Sequence, residues 1–160
     1  MIDNPASRTL VFLLRLAMAW TFLYAASHQV FVSWSVDGFL GSSKTFHGFF
    51  SIFTGPGIAS VITFFVSWGH LLIGLSLLVG LLVRVSSLFG IALMVLYWMA
   101  HMDFPYISDT NNFLVDEHVV NGLVLALLIA TRAGHLWGLD TWAAKQRSVM
   151  DSPLLKWATA

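Results

Sequence analysis

The chain has 160 residues, of which 58% are hydrophobic and only 10% charged, with a mean hydropathy of +0.79. Soluble domains run nearer 45–50% and about 25%, so an ordinary soluble globule and a disordered chain are both excluded. Eight basic against eight acidic residues leave no net positive charge for phosphates, and the absence of cysteine excludes disulfides, thiolate nucleophiles and Cys-ligated zinc or iron–sulfur sites.

The gaps between charges show what the hydrophobicity is for. Uncharged stretches of 21, 39, 18 and 14 residues separate Arg15 from Asp37, Lys44 from Arg84, Arg84 from Asp103, and Glu117 from Arg132. A helix needs roughly 20 apolar residues to cross about 30 Å of hydrocarbon. Four spans are therefore expected, at about 9–31, 59–83, 86–102 and 114–132. Their apolar runs are continuous and do not alternate, which indicates helices and not barrel strands. The first run is long for a signal-peptide core and continues past the small residues Ala25 and Ser27, so an uncleaved helix is expected.

Gly55, Pro56 and Gly57 interrupt the longest stretch. Before them, Phe46, Phe49, Phe50 and Phe53 recur at helical spacing beside Lys44 and His47. This predicts an interfacial segment in the first outer loop, with a loop packed on the helices as the alternative. Counting Lys and Arg places both termini inside. The inner side then holds Arg8, Arg15, Arg84, Arg132, Lys145, Arg147 and Lys156, and the outer side only Lys44, with Asp37, Asp103, Asp109, Asp116 and Glu117 also outside. The expected architecture is an all-α, four-helix membrane bundle over residues 1–140. An interfacial tail follows over 141–160, where Trp142 and Trp157 mix with Lys145, Arg147 and Lys156.

Two patterns occur twice. Leu23-Tyr24-Ala25-Ala26-Ser27-His28 closes the first span, and Leu96-Tyr97-Trp98-Met99-Ala100-His101 closes the third. His70 precedes Gly74-Leu75, Leu77 and Arg84, as His118 precedes Gly122-Leu123, Leu125 and Arg132. The chain thus reads as two parallel helix-pair repeats. In both even spans 14 residues separate His from Arg, a rise of about 21 Å. This puts His28, His70, His101 and His118 near one level in the outer half. Tyr24 and Tyr97 each share a face with their His, and Asp116, Glu117 and Asn121 join from the fourth span.

Ionisable groups at such depth are functional candidates, although each His read alone also suits an interhelical hydrogen bond and Arg84 and Arg132 suit topology anchors. Imidazoles could ligate haem or copper, but no spacing demands it. Imidazole, phenol and carboxylates suit a quinone better, as partners of its oxygens and carriers of its protons. Candidate catalytic residues are Asp116, Glu117 and His118. Candidate quinone contacts are His28, Tyr24, His70, Tyr97, His101 and Asn121, and no metal site is expected.

The stretch from Leu14-Arg15-Leu16-Ala17 to Phe22-Leu23-Tyr24-Ala25 resembles the first helix of the DoxX/DoxD family, and that from Trp68-Gly69-His70 to Arg84 resembles its second. The block Asn111-Asn112-Phe113-Leu114-Val115-Asp116-Glu117-His118, with Ala133-Gly134 and Gly138-Leu139-Asp140, is the most specific, and the resemblance covers about residues 10–140. It implies a four-helix membrane protein of the bacterial or archaeal inner membrane. The DoxD type is similar to the membrane subunit of thiosulfate:quinone oxidoreductase, which passes electrons to quinone together with a second small subunit, DoxA. The resemblance assigns Asp116, Glu117 and His118 to the fourth-helix motif. One departure is His70, where the family commonly carries Glu. The expected function is therefore a quinone-contacting membrane subunit of a sulfur-compound:quinone oxidoreductase, with lipid and a second subunit as partners. The alternative is a non-catalytic accessory subunit of a larger bioenergetic or photosynthetic complex.

Overall fold

A computed structural model describes residues 4–32, 34–103, 106–107 and 115–160. Four helices carry the architecture: α1 (Pro5–Val30), α4 (Ile58–Val79), α5 (Val83–His101) and α6 (Glu117–Ala130). Short helices α2 (Val36–Gly41) and α3 (His47–Phe50) lie between α1 and α4, and α7 (Asp140–Ala143), α8 (Arg147–Met150) and α9 (Pro153–Ala158) follow α6. The one strand pairing among the described residues is a two-residue antiparallel pair, Met102–Asp103 against Tyr106–Ile107. Asp109 and the block at 111–114 lie outside the described residues, as does the expected start of the fourth span.

Helices α1, α4 and α5 are long and apolar enough to cross a membrane. Their outward faces carry Trp20, Phe64, Phe65, Leu72 and Phe89, all well exposed, so apolar side chains cover both the inside and the outside of the helices, as lipid requires. α6 has 14 residues and spans about 21 Å. α1 packs most extensively on α4, and α5 on α6, with α4 against α5 joining the pairs. Close approach explains both pairings: a Cβ on Gly74 would lie 2.7 Å from Leu23 Cγ, and one on Gly90 would lie 2.8 Å from Leu125 Cδ1. All four helices feed one core, including Phe22, Leu77, Val83, Leu125 and Leu128.

Local signals set the helix ends. Asn4 accepts from the Ala6 N–H (2.9 Å) with Pro5 at the first helical position. The second long helix ends at Val79 and not at 83, because Gly80 takes the left-handed conformation (φ 70°) that stops a helix. The third begins at Val83 and not at 86, so Arg84 falls in its first turn. α6 starts at Glu117 because Asp116 Oδ1 accepts from the N–H groups of His118 (3.0 Å) and Val119 (3.1 Å). His70 is deep within α4 whereas His118 is the second residue of α6, so the even helices differ at their outer ends.

Two peripheral segments are held by the main helices. The expected interfacial segment forms α2, α3 and a 3-10 turn at Ser51–Phe53, with Phe46 preceding α3. It packs Val36, Leu40 and Phe50 against Ala59 of α4 and Ala100 of α5. In the tail, Arg84 donates to the Trp157 carbonyl (2.9 Å) and lies 5.7 Å from that ring. His135 donates through Nε2 to the Thr159 carbonyl (2.7 Å).

The turn between α4 and α5 is locked by a distant segment. Arg15, 1% exposed, donates through Nη1 to the carbonyls of Ala133 (2.5 Å) and Leu136 (2.9 Å) and through Nη2 to Trp137 (3.3 Å). Asp140, 3% exposed, accepts from the N–H groups of Leu82 (2.7 Å) and Val83 (3.2 Å), capping α5, which has no capping side chain of its own. Burial pushes the Asp140 carboxyl up, against the pull of those two N–H groups, His135 and Arg15. Asp140→Ala leaves two N–H groups unpaired at a helix start, and the expected cost is about 2 kcal/mol or more. Thermal unfolding of the purified protein in detergent, with exposed Thr141→Ala as the control, checks this; equal melting of the two variants contradicts it.

Candidate functional site

Four of the expected residues meet at one end of the helices. The Tyr97 ring of α5 stacks on His70 of α4 (centroids 5.7 Å apart, 26° between planes) and meets His118 of α6 edge-on at 5.5 Å. His118 in turn lies 5.4 Å from His101. Phe22 of α1 closes the inner end of this series against His70 (5.5 Å). Phe39 of α2 covers the outer end, 5.3 Å from Tyr97 and 5.1 Å from His101. Exposure falls along the series from His101, which is exposed, to His70 at 2%.

Hydrogen bonding fixes the two inner imidazoles. His70 Nδ1 is 2.7 Å from the Val66 carbonyl, which can only accept, so Nδ1 carries the proton. His118 Nδ1 is 2.8 Å from Asp116 Oδ2, and a carboxylate sets the same tautomer. Asp116 therefore both caps α6 and orients His118. Its Oδ1 serves the backbone and its Oδ2 the ring.

Polar atoms without partners converge nearby. The Tyr97 hydroxyl approaches the Gln29 side chain, yet neither that hydroxyl nor Gln29 Oε1, both shielded from solvent, makes a hydrogen bond among the described residues. Gln29 was not anticipated from the sequence. The signal was there: Val11, Arg15, Met18, Phe22 and Ala26 form the buried stripe of α1, and Gln29 continues it at helical spacing.

The structure does not bring every expected residue here. Tyr24 is 56% exposed and His28 is exposed. They stack on each other at 4.5 Å, and His28 Nδ1 bonds back to the Tyr24 carbonyl (3.0 Å). Both lie on the face of α1 away from the core, so the expected fourfold histidine level contains three histidines. Glu117 is exposed in the first turn of α6, and Asn121 is half-buried one turn beyond His118. No group of three or more His, Asp or Glu among the described residues could hold a metal ion. A separate open hollow of about 400 Å³ lies at the other end of α4, lined by Val79, His135, Trp137, Gly138, Leu139 and Thr141.

The sequence model of the DoxX family matches residues 10–102. The chain belongs to the DoxX family. No curated protein and no solved structure matches it. The DoxX match covers α1, α4 and α5 and hence Tyr24, His28, His70, Tyr97 and His101, but it ends before Asp116, Glu117 and His118. The fourth-helix residues of this DoxX membrane protein therefore enter the site on geometry alone.

Tyr97→Phe removes a shielded hydroxyl that has no hydrogen-bond partner among the described residues. The expected effect on stability is between none and a gain of about 1 kcal/mol. Thermal unfolding checks it; a loss of that size shows that the hydroxyl is bonded.

Proposed function

We propose that this DoxX protein is the quinone-contacting membrane subunit of a quinone-linked oxidoreductase of the sulfur-compound:quinone type. In this reading α1, α4, α5 and α6 form a transmembrane four-helix bundle of two helix pairs. Both termini face the cytoplasm of a prokaryotic cell, in its inner membrane, and the site lies in the outer half. The seven-to-one excess of basic residues on the inner side supports the orientation. The carrying observation is the series His70, Tyr97 and His118, tied to Asp116 and walled by Phe22 and Phe39.

Those residues fit a quinone headgroup. Aromatic walls suit its ring, the Tyr97 hydroxyl can donate to a quinone oxygen, and Gln29 Oε1 can accept from the hydroxyl of the reduced form. When bound, a quinone supplies two-electron, two-proton chemistry. The chain's own part is to orient the ring through His70, Tyr97 and His118 and to accept a proton at the free Nε2 of His118, with Asp116 fixing that imidazole. Exposed Glu117 and His101 link the site to outer water. A bis-histidine haem suits the arrangement less well, because Tyr97 contacts both His70 and His118. A second subunit, absent from this chain, would deliver the electrons.

Tryptophan fluorescence titration of the purified protein with a short-chain benzoquinone tests the reading. His118→Ala is expected to weaken binding at least about tenfold, a difference of about 1.4 kcal/mol. His28→Ala is expected to change it by less than about twofold. No binding, or equal effects of the two variants, contradicts the proposal. An accessory role is favoured by a different feature, the exposed ladder Trp20, Tyr24 and His28 on α1 (centroids 6.1 and 4.5 Å apart), which a neighbouring subunit could cover. Copurification with a larger complex, together with no response to the quinone, selects that role.

A further inference from the structure

We infer that the site is selective for redox state: it takes the reduced, dihydroxy form of a quinone in preference to the oxidised, dicarbonyl form. The inference rests on the quinone reading above and deepens it. In the neutral ring of His70 the proton is committed at Nδ1 to the Val66 carbonyl (2.7 Å), and in that of His118 to Asp116 Oδ2 (2.8 Å). Each ring is left with a bare lone pair at Nε2, and neither Nε2 makes a hydrogen bond among the described residues. The Gln29 amide beside Tyr97 adds a further acceptor, Oε1, which is unpaired among the described residues, together with one NH2 donor group. The Tyr97 hydroxyl can play either role. The unpaired Trp98 indole N–H is a donor, but Trp98 is not among the rings that pair with His70, His101 or His118 in the described residues. The site thus offers an excess of acceptors.

A quinone carbonyl only accepts. Set against these atoms, it leaves their lone pairs facing its own. The hydroquinone has two O–H groups to donate and satisfies them. A site built from acceptors rejects the analogue that lacks the donor, because its own buried groups then stay unpaired. The reduced form is expected to bind at least about tenfold more tightly than the oxidised form of the same molecule.

The geometry of Asp116 supplies a sharp test. Its Oδ1 accepts two backbone N–H groups at the start of α6, and its Oδ2 faces His118 Nδ1. In Asp116→Asn the amide oxygen must keep the Oδ1 place to preserve the cap. The NH2 group then takes the Oδ2 place and donates to Nδ1. The proton of His118 moves to Nε2, and an acceptor becomes a donor. Asn caps helices about as well as Asp, so the fold is kept. Binding of a short-chain benzoquinone and of its anaerobically maintained hydroquinone is measured on wild type and Asp116→Asn. Nitrogen-15 NMR of the histidines reports the tautomer. A wild-type preference for the hydroquinone that falls at least about fivefold in the variant, alongside the tautomer switch, supports the inference. Equal binding, tighter quinone binding, or an unchanged preference despite the switched tautomer overturns it and leaves the quinone site standing. Failure of both molecules to bind overturns the quinone reading itself, and this inference with it.

Discussion

The architecture depends on one guanidinium. Arg15 sits in a helix apolar enough to cross a membrane and is 1% exposed, a placement that is very costly without hydrogen-bond partners. Its partners are backbone carbonyls of residues 133, 136 and 137, where α6 has ended and the chain turns through Arg132 and Trp137 at positive φ; the Ala133 carbonyl also accepts from the Leu136 N–H (3.1 Å). The same segment then carries Asp140 to the start of α5. One short stretch of chain thereby satisfies a buried cation on α1 and the open N–H groups of α5, two needs at one level of the molecule. The fit is tight enough to require glycine: a Cβ on Gly80 would meet Arg15 and Gly138 at 2.7 Å, and one on Gly134 would land on the Asp140 carboxylate.

That lock sets heights at the other end. With α4 and α5 joined by three residues, Gly80 to Leu82, their relative register is fixed. Helical side chains tilt toward the N-terminus of their own helix. In this antiparallel pair the His70 ring therefore leans outward and the Tyr97 ring leans inward, and they stack although their distances from the turn differ. α6 reaches the same place by a different device. It starts late, at Glu117, and its capping residue is also the partner of His118. Cap and site share one carboxylate, so the start of the helix and the orientation of the imidazole are fixed together.

Much of this was legible in the charge pattern, since gaps between charges locate the three long helices to within a few residues. The turn after α4 was not, because Gly80 lies inside an uninterrupted apolar run and its stop signal acts through φ, not through polarity. The motif Leu-Tyr-x-x-small-His illustrates the deeper limit. It occurs in α1 and in α5, and periodicity correctly puts each Tyr on the face of its His. It does not say which way the face looks. In α5 the buried positions Ser87, Gly90 and Met94 lead on to Tyr97 and His101. In α1 the buried stripe passes through Phe22 and Ala26 to Gln29, and Tyr24 and His28 fall on the opposite side. Equal spacing from His to Arg in α4 and α6 likewise described the inner ends and missed the three turns by which their outer ends differ. Asp140 was visible as part of a recognisable block, but its partners are 57 and 58 residues away, a separation that no local pattern encodes.

The contrast between the two ends bears on what each is for. Arg15 places three of its five N–H groups on carbonyls, with Nε its one nitrogen lacking a partner among the described residues, and Asp140 has its N–H donors in place. Polar groups there are matched within the chain, as a purely structural role demands. At the other end the Tyr97 hydroxyl and the Gln29 side chain approach, the hydroxyl and Gln29 Oε1 unpaired among the described residues, beside two imidazoles each bonded there on one nitrogen. An unmatched polar atom shielded from water costs about 1–3 kcal/mol, and Phe at 97 or Leu at 29 would avoid that cost. Chains that otherwise agree with their own fold break the rule at functional positions. Ser87 is also fully buried and unpaired, but it needs no such account. Its small side chain lies in the stripe where α5 meets its neighbours, and close packing there is reason enough. Tyr97 and Gln29 are large, so packing alone does not explain their polar ends, and in the proposed function it is they, not the serine, that would meet a ligand.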